Sequence, residues 1–229
     1  HPVTTMLAGI GKVIRRELEV PVYGFLQGED SFLDSLLPEY RNEAWELLSS
    51  DVAKLDGCIA PSRYFGELMS DRLGLDASRV LHHPNGISMD GFIPQEKPPT
   101  QLKLGYLARL CPLKGLDILV DAFLLLKDTG KFPDLRLEIA GGMTEEDEPF
   151  VLEQRKKLAQ AGLEGHSSIH PNVDRDQKLS FLRSLSAFSV PARYPEAFGL
   201  YVVEALAAGV PVVLPESGAF PELVEQTQG

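Results

Sequence analysis

The chain has 229 residues, 44% of which are hydrophobic, and its formal net charge is −11 at pH 7. This composition is typical of a soluble globular protein with one large core or two moderate ones. The negative charge excludes nucleic acid as an expected partner and allows at most weak peripheral association with membranes. The local basic cluster Lys12, Arg15 and Arg16 is interpreted as the solvated face of a helix.

Two further features of the sequence concern its compartment and its extent. No apolar run is long enough to span a bilayer, and no signal peptide is evident. The cysteines Cys58 and Cys111 lie far apart and lack the spacing of metal ligands, so we expect two reduced thiols in a cytoplasmic protein. The chain starts at His1 without a methionine and stops at Gly229, which predicts a fragment truncated at both ends.

Short apolar runs alternate with amphipathic helical stretches along almost the whole chain. This alternation predicts an α/β fold with right-handed βαβ crossovers, parallel sheets and helices on both faces. The predicted strands are residues 20–26, 57–60, 79–82, 102–107, 135–140, 167–170, 186–190 and 210–214. The predicted helices are residues 36–50, 63–73, 116–127, 149–161, 176–184 and 198–208.

The clearest interruption of this pattern is the segment 91–100, which is rich in proline and polar residues. Its composition predicts a linker. We therefore expect two doubly wound units, formed by residues 1–95 and by residues 96–229. In such folds, ligands bind outside the carboxyl ends of the strands.

The most informative motif runs from Pro191 to Val213 and holds two carboxylates, Glu196 and Glu204. Glu196 is predicted on the loop after a strand and Glu204 inside the next helix, roughly 10 Å further along its axis. That distance is too long for sharing a proton, but it suits two contacts to one elongated ligand. The free N–H groups at the helix start between them suit a phosphate. For an isolated pair, the plainer interpretation is a helix cap and a solvent-facing glutamate.

Two cations, Arg109 and Lys114, follow the first strand of the second unit. At the carboxyl edge of a sheet they could clamp a diphosphate and stabilise its charge as it leaves. Taken alone, the pair is weak evidence, because an arginine and a lysine in a surface loop are usually just solvated. The neighbouring Gly115 indicates a close backbone approach at this turn.

Two more patterns remain ambiguous from the residues alone. The pair Gly141-Gly142 ends a predicted strand, where it allows either the approach of a nucleotide or only a tight turn. The acidic run 145–148 invites a metal hypothesis, but a solvated loop or a charged first helical turn is favoured.

In their order along the chain, these motifs resemble the retaining glycosyltransferases of the GT-B fold, and in particular glycosyltransferase family 4. The resemblance covers most of the chain. It is carried by Arg109 with Lys114-Gly115, by Glu196 and Glu204 with Phe198-Gly199, by residues 209–213 and 217–224, and by residues 60–62 and 80–87 of the first unit.

The resemblance implies two Rossmann-like units, an acceptor-side unit at residues 1–95 and a donor-binding unit at residues 96–229. It implies a hexosyltransferase that uses a UDP-, GDP- or ADP-sugar and retains the anomeric configuration. It leaves the acceptor unknown, and the expected classes are a sugar, a lipid-linked sugar or a small molecule. No cofactor and no metal are expected. The acceptor attacks from the side of the departing phosphate, which takes the proton.

The resemblance also implies a role for each site residue. The expected catalytic residues are Arg109 and Lys114 on the diphosphate, and Glu196 on the hydroxyls of the donor sugar. Glu204 is expected on the ribose. The remaining expected donor-binding residues are Phe198, Gly199 and Leu200 through their N–H groups, Gly141, Asn172, Val173 and Gln27.

Two departures from the family pattern keep other functions open. The glycine-rich loop near the family's N-terminus and its terminal helices are missing, and Gln27 stands where the family commonly has histidine. One alternative is a GT-B protein that binds nucleotide sugars with little or no turnover. Another is a different GT-B enzyme, such as a nucleotide-sugar epimerase or a phosphorylase, which the Arg109, Lys114 and paired-glutamate set fits less well.

Overall fold

A computed structural model of the protein describes residues 2–94 and 99–227, and the chain forms two compact units. The first unit runs to Gly86 and includes the segments 196–198 and 218–225. The second unit runs from Ile87 to Pro195 and includes residues 199–217 and the chain from Gln226. The assignment of residues 1–95 and 96–229 as acceptor-side and donor-binding domains stays a prediction. Part of the predicted linker, residues 95–98, lies outside the described residues.

The first unit contains a parallel sheet whose strands follow sequence order. Its strands are β1 (Pro2–Thr4), β2 (Tyr23–Phe25), β3 (Gly57–Ala60) and β4 (Val80–His82). Its helices are α1 (Ala8–Leu18), α2 (Glu29–Ser35), α3 (Pro38–Val52) and α4 (Arg63–Leu73). The core lies between strand and helix side chains, with Val22, Leu26, Phe65 and Met69 almost fully buried.

The second unit contains a parallel sheet with the strand order β7-β6-β5-β8. Its strands are β5 (Lys103–Leu107), β6 (Arg136–Gly141), β7 (Ser167–Pro171) and β8 (Ala187–Phe188). Its helices are α5 (Leu116–Asp128), α6 (Glu148–Gln160), α7 (Arg175–Arg183) and α8 (Leu200–Ala207). A last helix, α9 (Phe220–Thr227), groups mostly with the first unit.

The strand order of the second unit reverses at β5. The chain moves outward from β5 through β6 to β7 and then returns to pair β8 with the other side of β5. Such a reversal leaves the loops after the two neighbouring strands side by side at the carboxyl edge of the sheet. The loop that carries Arg109 and Lys114 follows β5, and the loop that leads to Glu196 follows β8.

The structure corrects two predicted element boundaries near the glutamate motif. The predicted strand 210–214 is reduced to one parallel bridge between Phe188 and Val212. Pro211 interrupts it because proline has no N–H to donate to a strand ladder. The helix predicted from residue 198 begins at Leu200, because Gly199 at φ 94° is in the left-handed region and ends the preceding loop.

Strand β1 and the helices α1 and α2 were not predicted. Strand β1 has only three residues, and α2 has seven and follows Gly28 at φ 110°. Helix α1 was missed as an element, although its basic residues Lys12, Arg15 and Arg16 do form an exposed helical face as predicted. Strand β1 and helix α2 lack the length over which a hydrophobic period can be recognised.

We expect Gly115→Ala to destabilise the second unit by about 3 kcal/mol. A Cβ atom at this position would lie 1.9 Å from the carbonyl oxygen of Pro191, and the residue also has φ 72°. The matched control is Gly130→Ala, which has a similar φ of 67° but nothing within 4 Å of the added atom. That control should cost only about 1 kcal/mol. If denaturant unfolding showed the same loss in free energy of unfolding for both variants, the close approach of the Pro191 carbonyl oxygen to Gly115 would be contradicted.

Candidate functional site

The loop after β5 is fixed from inside by Tyr106. This side chain is fully buried, and its hydroxyl donates to the carbonyl oxygen of Arg109 at 3.0 Å. It also lies 3.4 Å from the carbonyl oxygen of Lys114. Since one buried hydroxyl contacts the backbone of both cationic residues, the turn between them has a defined shape.

The loops after β5 and β8 are joined at the strand reversal. The Lys114 ammonium donates to the Tyr194 hydroxyl and lies 4.8 Å from the centre of that ring. The backbone N–H of Arg193 donates to the carbonyl oxygen of Leu113 at 2.9 Å. The close backbone approach predicted at Gly115 is confirmed, and the approaching atom is the carbonyl oxygen of Pro191.

A salt bridge adds to this junction. The Arg193 guanidinium donates to both carboxylate oxygens of Asp117, at 2.7 and 2.5 Å. These hydrogen bonds lower the pKa of Asp117, which lies in the first turn of α5. Lys114 therefore lies between the loops after β5 and β8, which are joined by these hydrogen bonds.

Arg109 is exposed, yet one edge of its guanidinium is anchored. Its Nε and one terminal nitrogen each donate to a different carboxylate oxygen of Asp147, both at 3.2 Å. Burial of Asp147 by itself would raise the pKa of its carboxyl group, but hydrogen bonds from Thr144 and Arg109 outweigh it and lower the pKa. The carboxylate therefore stays charged beside Arg109 at neutral pH.

Glu204 lies within α8 as predicted, and its carboxylate is paired. The Lys178 ammonium on α7 donates to Glu204 Oε1 at 2.5 Å, and both side chains are mostly buried. The interpretation of Glu204 as a solvent-facing residue is therefore wrong. Leu200, at the first position of α8, is exposed.

The predicted donor-binding residues Gly141, Asn172 and Val173 lie where β6 and β7 end. The Asn172 N–H donates to the carbonyl oxygen of Gly141 at 2.8 Å. The Asn172 side chain bonds both backbone groups of Met143, and Val173 is half-buried beside it. A Cβ atom at Gly141 would lie 1.7 Å from the carbonyl oxygen of Ala108, so this glycine is required for backbone packing.

Gln27 belongs to the first unit, on the loop after β2. Its side chain is exposed, and its backbone N–H donates to the carboxylate of Glu29 at 2.7 Å. Glu29 is buried and also accepts from Gly28 N–H and from the Thr5 hydroxyl. This buried carboxylate shapes the turn that presents Gln27.

Glu196 and Phe198 also group with the first unit, and both are buried. The Ser62 hydroxyl donates to the carbonyl oxygen of Ala197 at 2.7 Å. A Cβ atom at Gly28 would lie 4.0 Å from that of Ala197. The first unit thus brings the turn of Gln27 close to the Glu196 segment, while Arg109, Lys114 and Glu204 belong to the second unit.

The acidic run 145–148 forms a charged first helical turn, which is one of the two interpretations that the sequence favoured. Residues 145–147 form a 3₁₀ turn before α6, with Thr144 and Asp147 in a capping box. In the described residues, no group of three or more His, Cys, Asp or Glu side chains is placed to hold a metal ion. Of the four acidic residues in the run, Asp147 alone is buried.

Sequence reasoning missed the partners of the predicted residues, namely Tyr106, Asp147, Lys178 and Tyr194. The pattern Thr144-x-x-Asp147 is a readable sign of a helix start. Nothing in it indicates that Asp147 contacts Arg109, which lies 38 positions earlier. These partners become visible only when the strands are aligned in the sheet.

Comparison with known proteins identifies the family. The model of the family Glycosyl transferases group 1 matches residues 92–229, which is more than half of the chain. The chain belongs to this family.

Two curated proteins of known activity are similar in sequence to this group 1 protein. A phosphatidyl-myo-inositol mannosyltransferase from Mycobacterium tuberculosis is 33% identical over 172 residues, which cover 73% of this chain and 42% of the relative. A D-inositol 3-phosphate glycosyltransferase from Xylanimonas cellulosilytica is 29% identical over 189 residues, covering 76% of this chain and 43% of the relative. The chain thus spans less than half the length of these curated relatives.

Solved structures establish the GT-B fold of the chain. Anabaena HepE in complex with UDP-glucose matches with a TM-score of 0.75 at 20% identity, covering 96% of this chain and 60% of HepE. Sucrose-phosphate synthase from Thermosynechococcus elongatus matches with a TM-score of 0.77 at 18% identity, covering 96% and 56% of the two chains. The predicted α/β class with two Rossmann-like units and parallel sheets is confirmed. Across the described part of the chain, every helix is too short or too polar to cross a membrane.

We expect the two thiols of this group 1 protein to react at very different rates with a thiol reagent at about pH 8. Burial raises the pKa of Cys58 to about 11, so only about one molecule in a thousand carries its thiolate. Cys111 is partly exposed on the loop between Arg109 and Lys114. One thiol should react fast in the native protein, and Cys111→Ser should abolish that phase. Two fast thiols would contradict the burial of Cys58.

Proposed function

We propose that this protein is a retaining hexosyltransferase that moves a hexosyl group from a nucleotide diphosphate sugar to an acceptor. Family membership supports a glycosyltransferase, and HepE, a structural neighbour, has been crystallised with UDP and with UDP-glucose. The proposed donors are UDP-, GDP- and ADP-sugars. The proposed acceptor is a sugar, a lipid-linked sugar or a small molecule.

The observation that carries this proposal is the pair of cations on the β5 loop at the strand reversal. Arg109 is anchored by Asp147 on one edge, and Lys114 is held between the β5 and β8 loops. Positive charge fixed at the carboxyl edge of a parallel sheet suits a diphosphate, because its negative charge is spread over two linked phosphate groups. In this proposal both cations bind the diphosphate.

The other site residues are assigned to successive parts of the donor, from the ribose through the phosphates to the sugar. Glu204 binds the ribose hydroxyls, for which its mostly buried carboxylate on α8 is suited. The N–H groups of Phe198, Gly199 and Leu200 add donors to the phosphates at the start of α8. Glu196 binds hydroxyls of the donor sugar, while Gly141, Asn172, Val173 and Gln27 complete the donor contacts.

The proposed chemistry exchanges one bond at the anomeric carbon for another. The bond to the departing phosphate oxygen breaks, and a bond to the acceptor oxygen forms on the same face of the sugar. The acceptor proton moves to the departing phosphate, so the nucleoside diphosphate leaves protonated on that oxygen. Arg109 and Lys114 stabilise the charge that develops there. The proposal includes neither a metal nor a cofactor.

Replacing Glu204 by alanine should weaken UDP, GDP or ADP binding by about 1–3 kcal/mol, because the ribose loses a buried hydrogen-bond acceptor. Glu196→Ala should leave nucleotide binding nearly intact and mainly impair use of the sugar nucleotide. Calorimetry with the three nucleotides on each variant measures both effects. Lys178→Ala is the matched control, since it breaks the same ion pair but keeps the carboxylate. Unchanged nucleotide binding by Glu204→Ala would refute the assigned role.

We expect the glycosidic product to keep the anomeric configuration of the donor. Proton NMR of the anomeric signal after incubation with a sugar nucleotide and candidate acceptors measures it directly. An inverted product would refute the proposed mechanism. Tight donor binding without any transfer or hydrolysis would instead support a donor-binding protein that has lost turnover. This alternative stays open because Gln27 stands where the family commonly has histidine.

A further inference from the structure

The acidic run 145–148 contains one residue, Asp147, that differs from its neighbours in burial and in its hydrogen bonds. Asp147 is only 6% exposed, whereas Glu145, Glu146 and Glu148 are exposed. Its Oδ2 accepts hydrogen bonds from the Thr144 N–H at 3.0 Å and from the Thr144 hydroxyl at 2.9 Å. Thr144, the residue before the 3₁₀ turn, therefore holds this carboxylate in one orientation independently of Arg109.

Arg109 meets this carboxylate with only part of its guanidinium. A guanidinium has five N–H donors in a rigid plane. Two nitrogen atoms contact Asp147, and the third, at the opposite corner, faces away from this pair. The Arg109 side chain is 53% exposed, so the unused N–H groups remain available at the surface above the β5 loop.

We propose that Asp147 is a positioning residue that fixes the guanidinium of Arg109 for the donor diphosphate. This inference rests on the proposed donor site. An exposed arginine loses much side-chain freedom when it binds a ligand, and that entropy opposes binding. A bidentate contact to a buried carboxylate removes this freedom beforehand and aims the remaining N–H groups.

Positioning of Arg109 and simple electrostatic repulsion predict opposite changes in diphosphate affinity when the Asp147 charge is removed. A carboxylate beside a diphosphate repels it, so removal of the Asp147 charge should strengthen diphosphate binding if proximity were its only effect. If Asp147 positions Arg109, its removal should weaken binding. The two effects therefore predict opposite changes for the same substitution.

The test is UDP affinity, measured by calorimetry for Asp147→Asn and for the control Glu145→Gln. Both variants remove one negative charge from the same run, but Glu145 is exposed and makes no contact with Arg109. Asparagine keeps an oxygen that can accept from Thr144. We expect Asp147→Asn to weaken UDP binding about tenfold, the lower end of what loss of a residue that orients a metal ligand costs at metal sites. Glu145→Gln should leave it unchanged or slightly tighter.

A second arm separates positioning of Arg109 from a general effect on the fold. In an Arg109→Ala background, Asp147→Asn should have no further effect on UDP affinity, because the side chain that it positions is gone. An equal loss in both backgrounds would overturn the proposal and assign Asp147 to the fold. Tighter UDP binding by Asp147→Asn alone would overturn it in favour of simple repulsion.

The same data distinguish this inference from the proposed function. If Arg109→Ala by itself leaves UDP binding unchanged, the diphosphate role of Arg109 fails, and with it the basis of the inference. If Arg109→Ala weakens binding while Asp147→Asn does not, only the positioning role fails. Thermal unfolding of each variant identifies any change that is due to loss of structure.

Discussion

The reversal of strand order at β5 is the constraint from which the candidate donor site follows. Because β8 returns to pair with β5, the two loops that follow these strands emerge side by side. Their backbones approach so closely that only glycine fits at position 115, against the carbonyl oxygen of Pro191. The contact of Lys114 with Tyr194 and the salt bridge of Arg193 with Asp117 close the junction. A site built on such a junction is held by the sheet itself.

Three charged residues of this site have partners within the second unit. Arg109 pairs with Asp147, Lys114 with Tyr194, and Glu204 with Lys178. These partners hold the side chains in fixed rotamers, which reduces the entropy lost when a ligand binds. Asp147 and Lys178 also partly neutralise the charges of Arg109 and Glu204, so an incoming diphosphate must compete with or add to existing hydrogen bonds. The balance of these effects decides how much each residue contributes to binding.

Much of the architecture could be predicted from the sequence because it depends on local patterns. The alternation of apolar strands with amphipathic helices predicted the parallel sheets, and residues 57–60 and 63–73 formed the expected elements with the expected bounds. Arg109 and Lys114 were recognisable because their spacing after a strand is itself a local feature. The failures were local too, since Gly199 delays the start of α8 and Pro211 interrupts the last predicted strand.

The partners of the candidate residues could not be predicted, because they depend on which distant segments the sheet brings together. Nothing in the acidic run indicates that Asp147, rather than its neighbours, turns inward to Arg109. The pairing of Lys178 with Glu204 likewise joins α7 to α8 across 26 positions. The roles of the site residues in donor binding remain predictions, supported by family membership and by this geometry.

A crystal structure of the protein with a bound nucleoside diphosphate would show whether the strand reversal forms the donor site. We expect the diphosphate at the carboxyl edge of β5 and β8, with the Arg109 guanidinium and the Lys114 ammonium both in hydrogen-bond contact with its oxygens. A diphosphate bound elsewhere, with neither Arg109 nor Lys114 in contact, would contradict the claim that the strand reversal forms the donor site.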